Sequence, residues 1–229
     1  MDDHSTKRIV VTGASSGIGR AVAARLLDDG HAVIGMSRSM PDLVHERFTH
    51  VGADLGDTGT IAPLARRLGA VDGLVHAAGF MKTARLGALD DASGEAMWRI
   101  HVAAAAALAN VLVPAMHDGG RIVLIGSRVS GGAAGRSQYA AAKAAMVGMA
   151  RSWAIELAPR RITVNVVSPA ATQTPMLADP QRTSSAPVTP PIGRYVTVGE
   201  VASMVAYLLG DNGGAITGQQ IMICGGSSL

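Results

Sequence analysis

Tyr139 and Lys143 stand four residues apart in the run SRVSGGAAGRSQYAAAKAA, residues 127–145. The chain has three tyrosines and three lysines against seventeen arginines, so a lysine at this place is not simply the default cation. Residues four apart on a helix share a face. A free phenol titrates at about pH 10 and is a poor proton donor or acceptor at neutral pH. An ammonium group beside it stabilises the phenolate and lowers that pKa, which makes the phenol useful as an acid or base. The plainer alternative is a helix carrying one buried ring and one solvated charge.

A second pattern lies near the start, in VVTGASSGIGRAVAARLL, residues 10–27. Gly13 permits a tight turn after a strand, Gly17 lets the backbone approach a phosphate, and Gly19 allows close helix packing. The turn also exposes Ser15, Ser16 and Ile18 at the mouth of a helix, where unpaired N–H groups and the helix dipole favour an anion. By itself such a glycine triplet is also compatible with a plain β–α turn. Its place after the first strand favours a dinucleotide. The second strand ends at GMSRS, where an NAD site usually puts an acid to hold the ribose 2′-hydroxyl. Here Ser37 stands in that neighbourhood and Arg38 follows. An acid would repel a 2′-phosphate, whereas a guanidinium binds it by paired hydrogen bonds. NADP is therefore the preferred cofactor and NAD the possible one; no metal is expected.

The elements that must position these groups alternate. Nearly continuous apolar runs at 8–12, 31–36, 48–53, 71–77, 121–126, 161–167 and 219–224 read as strands covered on both faces. Helices are expected at 17–29, near 41–47, and at 58–68, 93–117, 136–158 and 198–210. This alternation implies an α/β fold, a single-domain Rossmann fold spanning 1–229, with a doubly wound parallel sheet of about seven strands and helices on both faces. The stretch 177–193 has four prolines and several hydroxyl residues. It reads as a substrate lid or as a long surface connection.

The chain has 229 residues, 48% of them hydrophobic, which suits one domain with a large core. Its formal charge of +3 is spread rather than clustered, which gives a nucleic-acid partner little support. One cysteine, Cys224, permits no intrachain disulfide and suits a cytoplasmic setting. The N-terminus lacks a basic, apolar secretion signal. The longest apolar run, 102–116, is shorter than the roughly twenty residues a bilayer span needs, so no membrane association is expected.

Taken together, these motifs resemble the short-chain dehydrogenase/reductase family from about Lys7 to Gly226. TGASSGIG (12–19) is similar to that family's cofactor turn and ADL (53–55), with Asp54 and Leu55, to its adenine-contacting segment. HAAG (76–79), with Ala78 and Gly79, is similar to the motif after the fourth strand, and YAAAK (139–143) to the catalytic pair. VNVVSPAATQTPM (164–176), with Pro169, resembles the segment that closes over the nicotinamide. IGRYVTVGEVASMVAYLL (192–209) resembles the helix behind the lid.

The resemblance implies roles. Tyr139 would be the general acid in carbonyl reduction or the base in alcohol oxidation. Lys143 would lower its pKa and hydrogen-bond the nicotinamide ribose. Ser127 would hydrogen-bond the substrate oxygen where charge develops, with Ser130 as runner-up. Thr172 and Thr174 would face the nicotinamide and pyrophosphate. Five residues depart from the family pattern. His101 stands where an asparagine usually completes a proton relay, and it counts here as a catalytic candidate. His76 and Ala77 replace the asparagines of the fourth-strand motif, Ala170 replaces a glycine, and Cys224 replaces an aspartate; these are expected to be tolerated.

The function implied is an NADP(H)-dependent oxidoreductase acting on a ketone or secondary alcohol. Within the family the alternatives are a 3-oxoacyl thioester reductase and a sugar or polyol dehydrogenase. Outside it stands a non-catalytic dinucleotide-binding protein. Arg128, Arg136, Lys82 and Arg182 around the mouth would favour an anionic substrate, or be ordinary surface charge. The small, apolar outer faces of 102–116 and 136–158, helices that pair between subunits in the family, imply a homotetramer, with a dimer as the alternative.

Overall fold

The structure is a computed structural model that describes residues 6–178 and 186–229. Its frame is one seven-stranded sheet in the order β3-β2-β1-β4-β5-β6-β7. The strands are β1 (Arg8–Thr12), β2 (Ala32–Ser37), β3 (Phe48–Gly52), β4 (Gly73–His76), β5 (Arg121–Ile125), β6 (Thr163–Pro169) and β7 (Gln220–Ile223). Every neighbouring pair runs parallel. Parallel strands need crossovers, and helices supply most of them. These are α1 (Gly17–Asp28), α2 (Thr58–Arg66), α3 (Asp91–Trp98), α4 (Ala104–Leu112), α5 (Ser137–Leu157) and α6 (Val198–Leu209).

Successive strand side chains point to opposite faces, and the sequence loads both with aliphatic groups. Val10, Leu74, Ile122 and Val164 pack under α2, α4 and α5, against Ile61, Leu108 and Met146. Ile9, Val11, Val75 and Val123 pack under α1 and α6, against Val22, Leu26, Val201 and Leu208. Each such fully buried side chain is worth roughly 1.5–3 kcal/mol.

Two expectations from the sequence are corrected. Residues 41–47 form no helix. Pro41 is buried and Leu43 packs on the core, but Val44 is fully exposed, so burial does not offset helix nucleation in so short a piece. The segment instead turns back at His45, whose ring accepts from the Arg47 N–H at 3.0 Å and whose carbonyl accepts from the Phe48 N–H.

The helix expected at 93–117 is broken into α3 and α4 by a π-helical turn, Arg99–Ala103, in which the Ala104 N–H reaches back five residues to Arg99. The whole helical run Asp91–Ala115 is long and apolar enough, by length and composition, to cross a membrane. Its face of Ala104, Ala105, Leu108 and Leu112 is instead buried in the core.

Candidate active site

The strand order reverses between β1 and β4: β2 lies on one side of β1 and β4 on the other. At such a switch point the loops leaving the strand ends part and leave a crevice. A cleft of about 640 Å³ opens there.

The β1–α1 turn forms one end. Gly13 has φ +68°, and a Cβ on it would lie 2.9 Å from the Ala78 backbone; one on Gly19 would lie 2.3 Å from the Gly13 carbonyl oxygen. The two loops therefore touch through backbone alone. Ser16 places no side-chain cap on α1, and no acid sits in its first turn. The positive end of a twelve-residue helix thus meets the cleft between Ser15, Gly17 and Ile18. This arrangement suits the diphosphate of a dinucleotide.

Further along the same rim, Ser37 donates to the Ser39 carbonyl oxygen at 2.9 Å, and Arg38 is exposed on the cleft wall. Asp54 takes the Gly56 N–H at 2.9 Å and lines the cleft beside the buried Leu55.

The middle is held by Thr12. Its Oγ1 accepts the N–H groups of Ala77 and Ala78, each at 3.0 Å. The hydroxyl proton is then left for His76 Nδ1, 3.1 Å away, and His76 Nε2 donates to the Ile100 carbonyl oxygen at 2.9 Å. His76 is buried, and burial together with the positive field of Lys143 lowers its pKa to about 4. His76, expected to be a tolerated replacement, ties β1 and β4 to the π-helical turn. Its position at a strand end, pointing inward, was the available signal.

That turn delivers His101 to the cleft. Its Nε2 lies 2.8 Å from the Phe80 carbonyl oxygen. A carbonyl only accepts, so Nε2 carries the proton and Nδ1 the lone pair. Nδ1 is buried without a hydrogen-bond partner. Burial first, then Lys143, holds the ring well below the usual histidine range, so it is neutral. Gly79 makes room for it: a Cβ there would lie 2.0 Å from His101 Cε1.

From the other wall, α5 presents Tyr139 and Lys143, both buried. Lys143 Nζ donates to the Ile125 carbonyl oxygen at 2.6 Å and lies 5.7 Å from the centre of the Tyr139 ring. Burial pushes the lysine down to about 7. Ser127, just past β5, lines the cleft and accepts the Val129 N–H at 3.3 Å.

Ser130 points elsewhere and accepts from Gln220 at 2.7 Å. Pro169, Thr172 and Thr174 close the far side. The threonine hydroxyls donate to the carbonyl oxygens of Ala170 and Thr172, at 2.9 and 3.3 Å.

The chain leaves this wall and comes back at one point. Gln173 donates to the Val196 carbonyl oxygen at 2.9 Å, and Val196 donates to that of Ala171 at 3.0 Å. Beyond it Thr197 and Glu200 form a reciprocal cap on α6, and Arg194 pairs with both oxygens of Glu200. Pro187, Val188 and Thr189, from the expected lid, line the cleft. Residues 179–185, Arg182 among them, lie outside the described residues. Arg128 and Arg136 line the cleft and Lys82 does not.

The chain matches the family model described as enoyl-(acyl carrier protein) reductase over residues 13–228. This chain belongs to the short-chain dehydrogenase/reductase family. It is accordingly an oxidoreductase acting on CH–OH groups with NAD(P) as acceptor. It is similar to the 3-oxoacyl-[acyl-carrier-protein] reductase of Salmonella typhimurium, 35% identical over 96% of both chains.

Among solved structures it is similar to a blue fluorescent protein from a metagenomic library, in complex with NADPH. The two share 32% identity at TM-score 0.87, with 97% of this chain and 98% of that one covered. It is also similar to a short chain dehydrogenase from Burkholderia cenocepacia in complex with NADP, with 32% identity, TM-score 0.82 and the same coverage.

Proposed function

We propose that this short-chain dehydrogenase/reductase interconverts a ketone and a secondary alcohol with NADP(H), using Ser127, Tyr139 and Lys143. One observation carries the reading. The tyrosine and the buried lysine face the same cleft as the N-terminus of α1, with Nζ 5.7 Å from the ring.

Bound NADP(H) supplies or accepts the hydride. In reduction, Tyr139 Oη gives its proton to the carbonyl oxygen, and in oxidation it takes the alcohol proton. Ser127 Oγ donates a hydrogen bond to the same oxygen, where charge develops. Lys143 in its charged form stabilises the phenolate left behind. His101 sets the tyrosine from behind. Its Nε2 proton ends on a carbonyl, so the ring offers one lone pair to a water but passes no proton onward.

Gly13, Ser15, Ser16, Gly17, Ile18 and Gly19 would hold the diphosphate, with Asp54, Leu55, Ala78 and Gly79 around the adenine and its ribose. Pro169, Thr172 and Thr174 would lie at the nicotinamide end. Arg38 supports NADP over NAD because it is a cation where an acid would exclude the 2′-phosphate. Two structural neighbours are complexes with NADPH or NADP.

The relative from Salmonella makes a 3-oxoacyl thioester the second substrate class. The test is cofactor-dependent turnover of a carbonyl panel by the purified protein. No turnover of any member with either cofactor would leave a non-catalytic dinucleotide binder.

We further read the chain as one cytoplasmic domain that assembles as a homotetramer. Support comes from the outer faces of α4 and α5, where Ala106, Ala107 and Trp153 border an apolar groove, and from Ile155, 77% exposed. Met222, half exposed on the edge strand β7, supports a second interface.

A further inference from the structure

The catalytic end of the cleft carries a charge that the mechanism does not use. Arg128 follows Ser127 directly and lines the cleft. Its guanidinium makes no hydrogen bond or ion pair with any described residue, and Nε is buried. Arg136, at the start of α5, lines the same end and reaches the Ala186 carbonyl oxygen at 3.5 Å.

Among the described residues only one acidic side chain, Asp54, lines the cleft, and it lies at the adenine end. Lys143 adds to the positive field. Arg128 is only part-buried, so its fork stays open to the cleft while Nε is shielded, and an arginine fork pairs best with a planar oxyanion. The geometry therefore calls for an anion supplied by the ligand.

We infer that Arg128, assisted by Arg136, sets substrate specificity by binding a carboxylate of the molecule being reduced: the substrate is a short oxo acid or the matching hydroxy acid. This rests on the carbonyl reductase reading above and deepens it. Consecutive Cα atoms are about 3.8 Å apart, so the residue holding the carboxylate is the neighbour of the one holding the carbonyl oxygen. The two groups belong to one short molecule. A phosphate at the far end of a long carrier arm does not meet that condition.

The experiment compares four matched probes with NADPH: 3-oxobutanoate, its methyl ester, and acetoacetyl thioesters of N-acetylcysteamine and of coenzyme A. The acid is expected to exceed the ester in kcat/KM by about 10–100-fold, the worth of one charge-assisted pair. Arg128→Met should bring the acid-to-ester ratio close to one, mainly by raising KM for the acid. Arg128→Lys should restore part of the preference. Arg136→Met should lower it less, and melting curves confirm that each variant is folded.

Turnover of acid and ester at equal efficiency by the wild type would overturn the inference while leaving the reductase reading intact. So would a preference that survives Arg128→Met. A coenzyme A thioester favoured over the simple thioester, with that advantage lost in Arg128→Met, would also overturn it by moving the anion to the carrier. No turnover of any probe with NADPH or NADH would instead refute the reductase reading itself.

Discussion

His101 meets Tyr139 edge-on: the ring centroids lie 5.4 Å apart and the planes cross at 78°. The imidazole is fixed from one side by Phe80 and by nothing at Nδ1. Its effect on catalysis therefore runs through the tyrosine it touches and through the one lone pair it offers. His101→Asn, which retains an acceptor, should remain active. His101→Leu should lose turnover with little change in NADPH affinity and with a shifted pH–rate profile. Gly79→Ala should mimic it, because the new methyl group must displace the ring. Equal kcat for wild type and His101→Leu from about pH 6 to 9 would reduce the histidine to packing.

Tyr139→Phe removes the ionisable hydroxyl and leaves the ring contacts with His101. Fold and cofactor binding should persist, while kcat falls by about 10²–10⁴-fold, the usual worth of general acid–base catalysis. Stopped-flow turnover and cofactor titration by fluorescence measure the two separately. A variant that keeps most of its kcat would remove Tyr139 from the chemistry.

Arg38 stands on the rim with no hydrogen bond or ion pair to any described residue. Arg38→Ala should weaken NADPH binding by about 1.5–3 kcal/mol, one charged hydrogen-bonding contact, and leave NADH binding nearly unchanged. Comparing kcat/KM for the two cofactors before and after the substitution decides it. An enzyme that prefers NADH from the outset contradicts the assignment.

His76 predicts acid sensitivity. Its folded pKa of about 4 lies below the ordinary histidine value of 6.5. The unfolded chain therefore binds the extra proton first as pH falls. Stability is full above about pH 6.5 and is lost progressively down to about pH 4. At about pH 5 the loss from this one group is on the order of 2 kcal/mol, and His101 acts in the same direction. Urea unfolding at about pH 7 and pH 5 measures it. His76→Gln should flatten the difference, and an unchanged difference would place the acid sensitivity elsewhere.

The strands were legible because β-branched runs covered on both faces leave a nearly uniform apolar signature, as at 8–12 and 121–126. The residues of the site were legible for a different reason. Gly13, Tyr139 and Lys143 each allow a plainer reading alone, but their motifs in chain order resemble one family, and the cleft brings them together. The π-helical turn left no trace: Arg-Ile-His-Val-Ala is ordinary helix composition, and the turn coincides with the long-range hydrogen bond from His76 to the Ile100 carbonyl oxygen. The missing helix at 41–47 reflects the same limit. Its helical pattern was real, but burial decides, and Val44 has nothing to pack against.

The clamp between Gln173 and Val196 sits where the chain departs from the cleft wall and where it rejoins it. Both anchor points belong to the frame: one continues from β6, the other leads into the capped start of α6. Between them Ile192 also donates to the Gly225 carbonyl oxygen at 3.1 Å, so a change of length that spares these contacts does not strain the sheet. Closing a loop twice as long costs only about 0.6 kcal/mol. The stretch between Thr174 and Ile192 is thus an exchangeable cassette, and a graft from a relative of different substrate taste can be received here with β6 and α6 undisturbed.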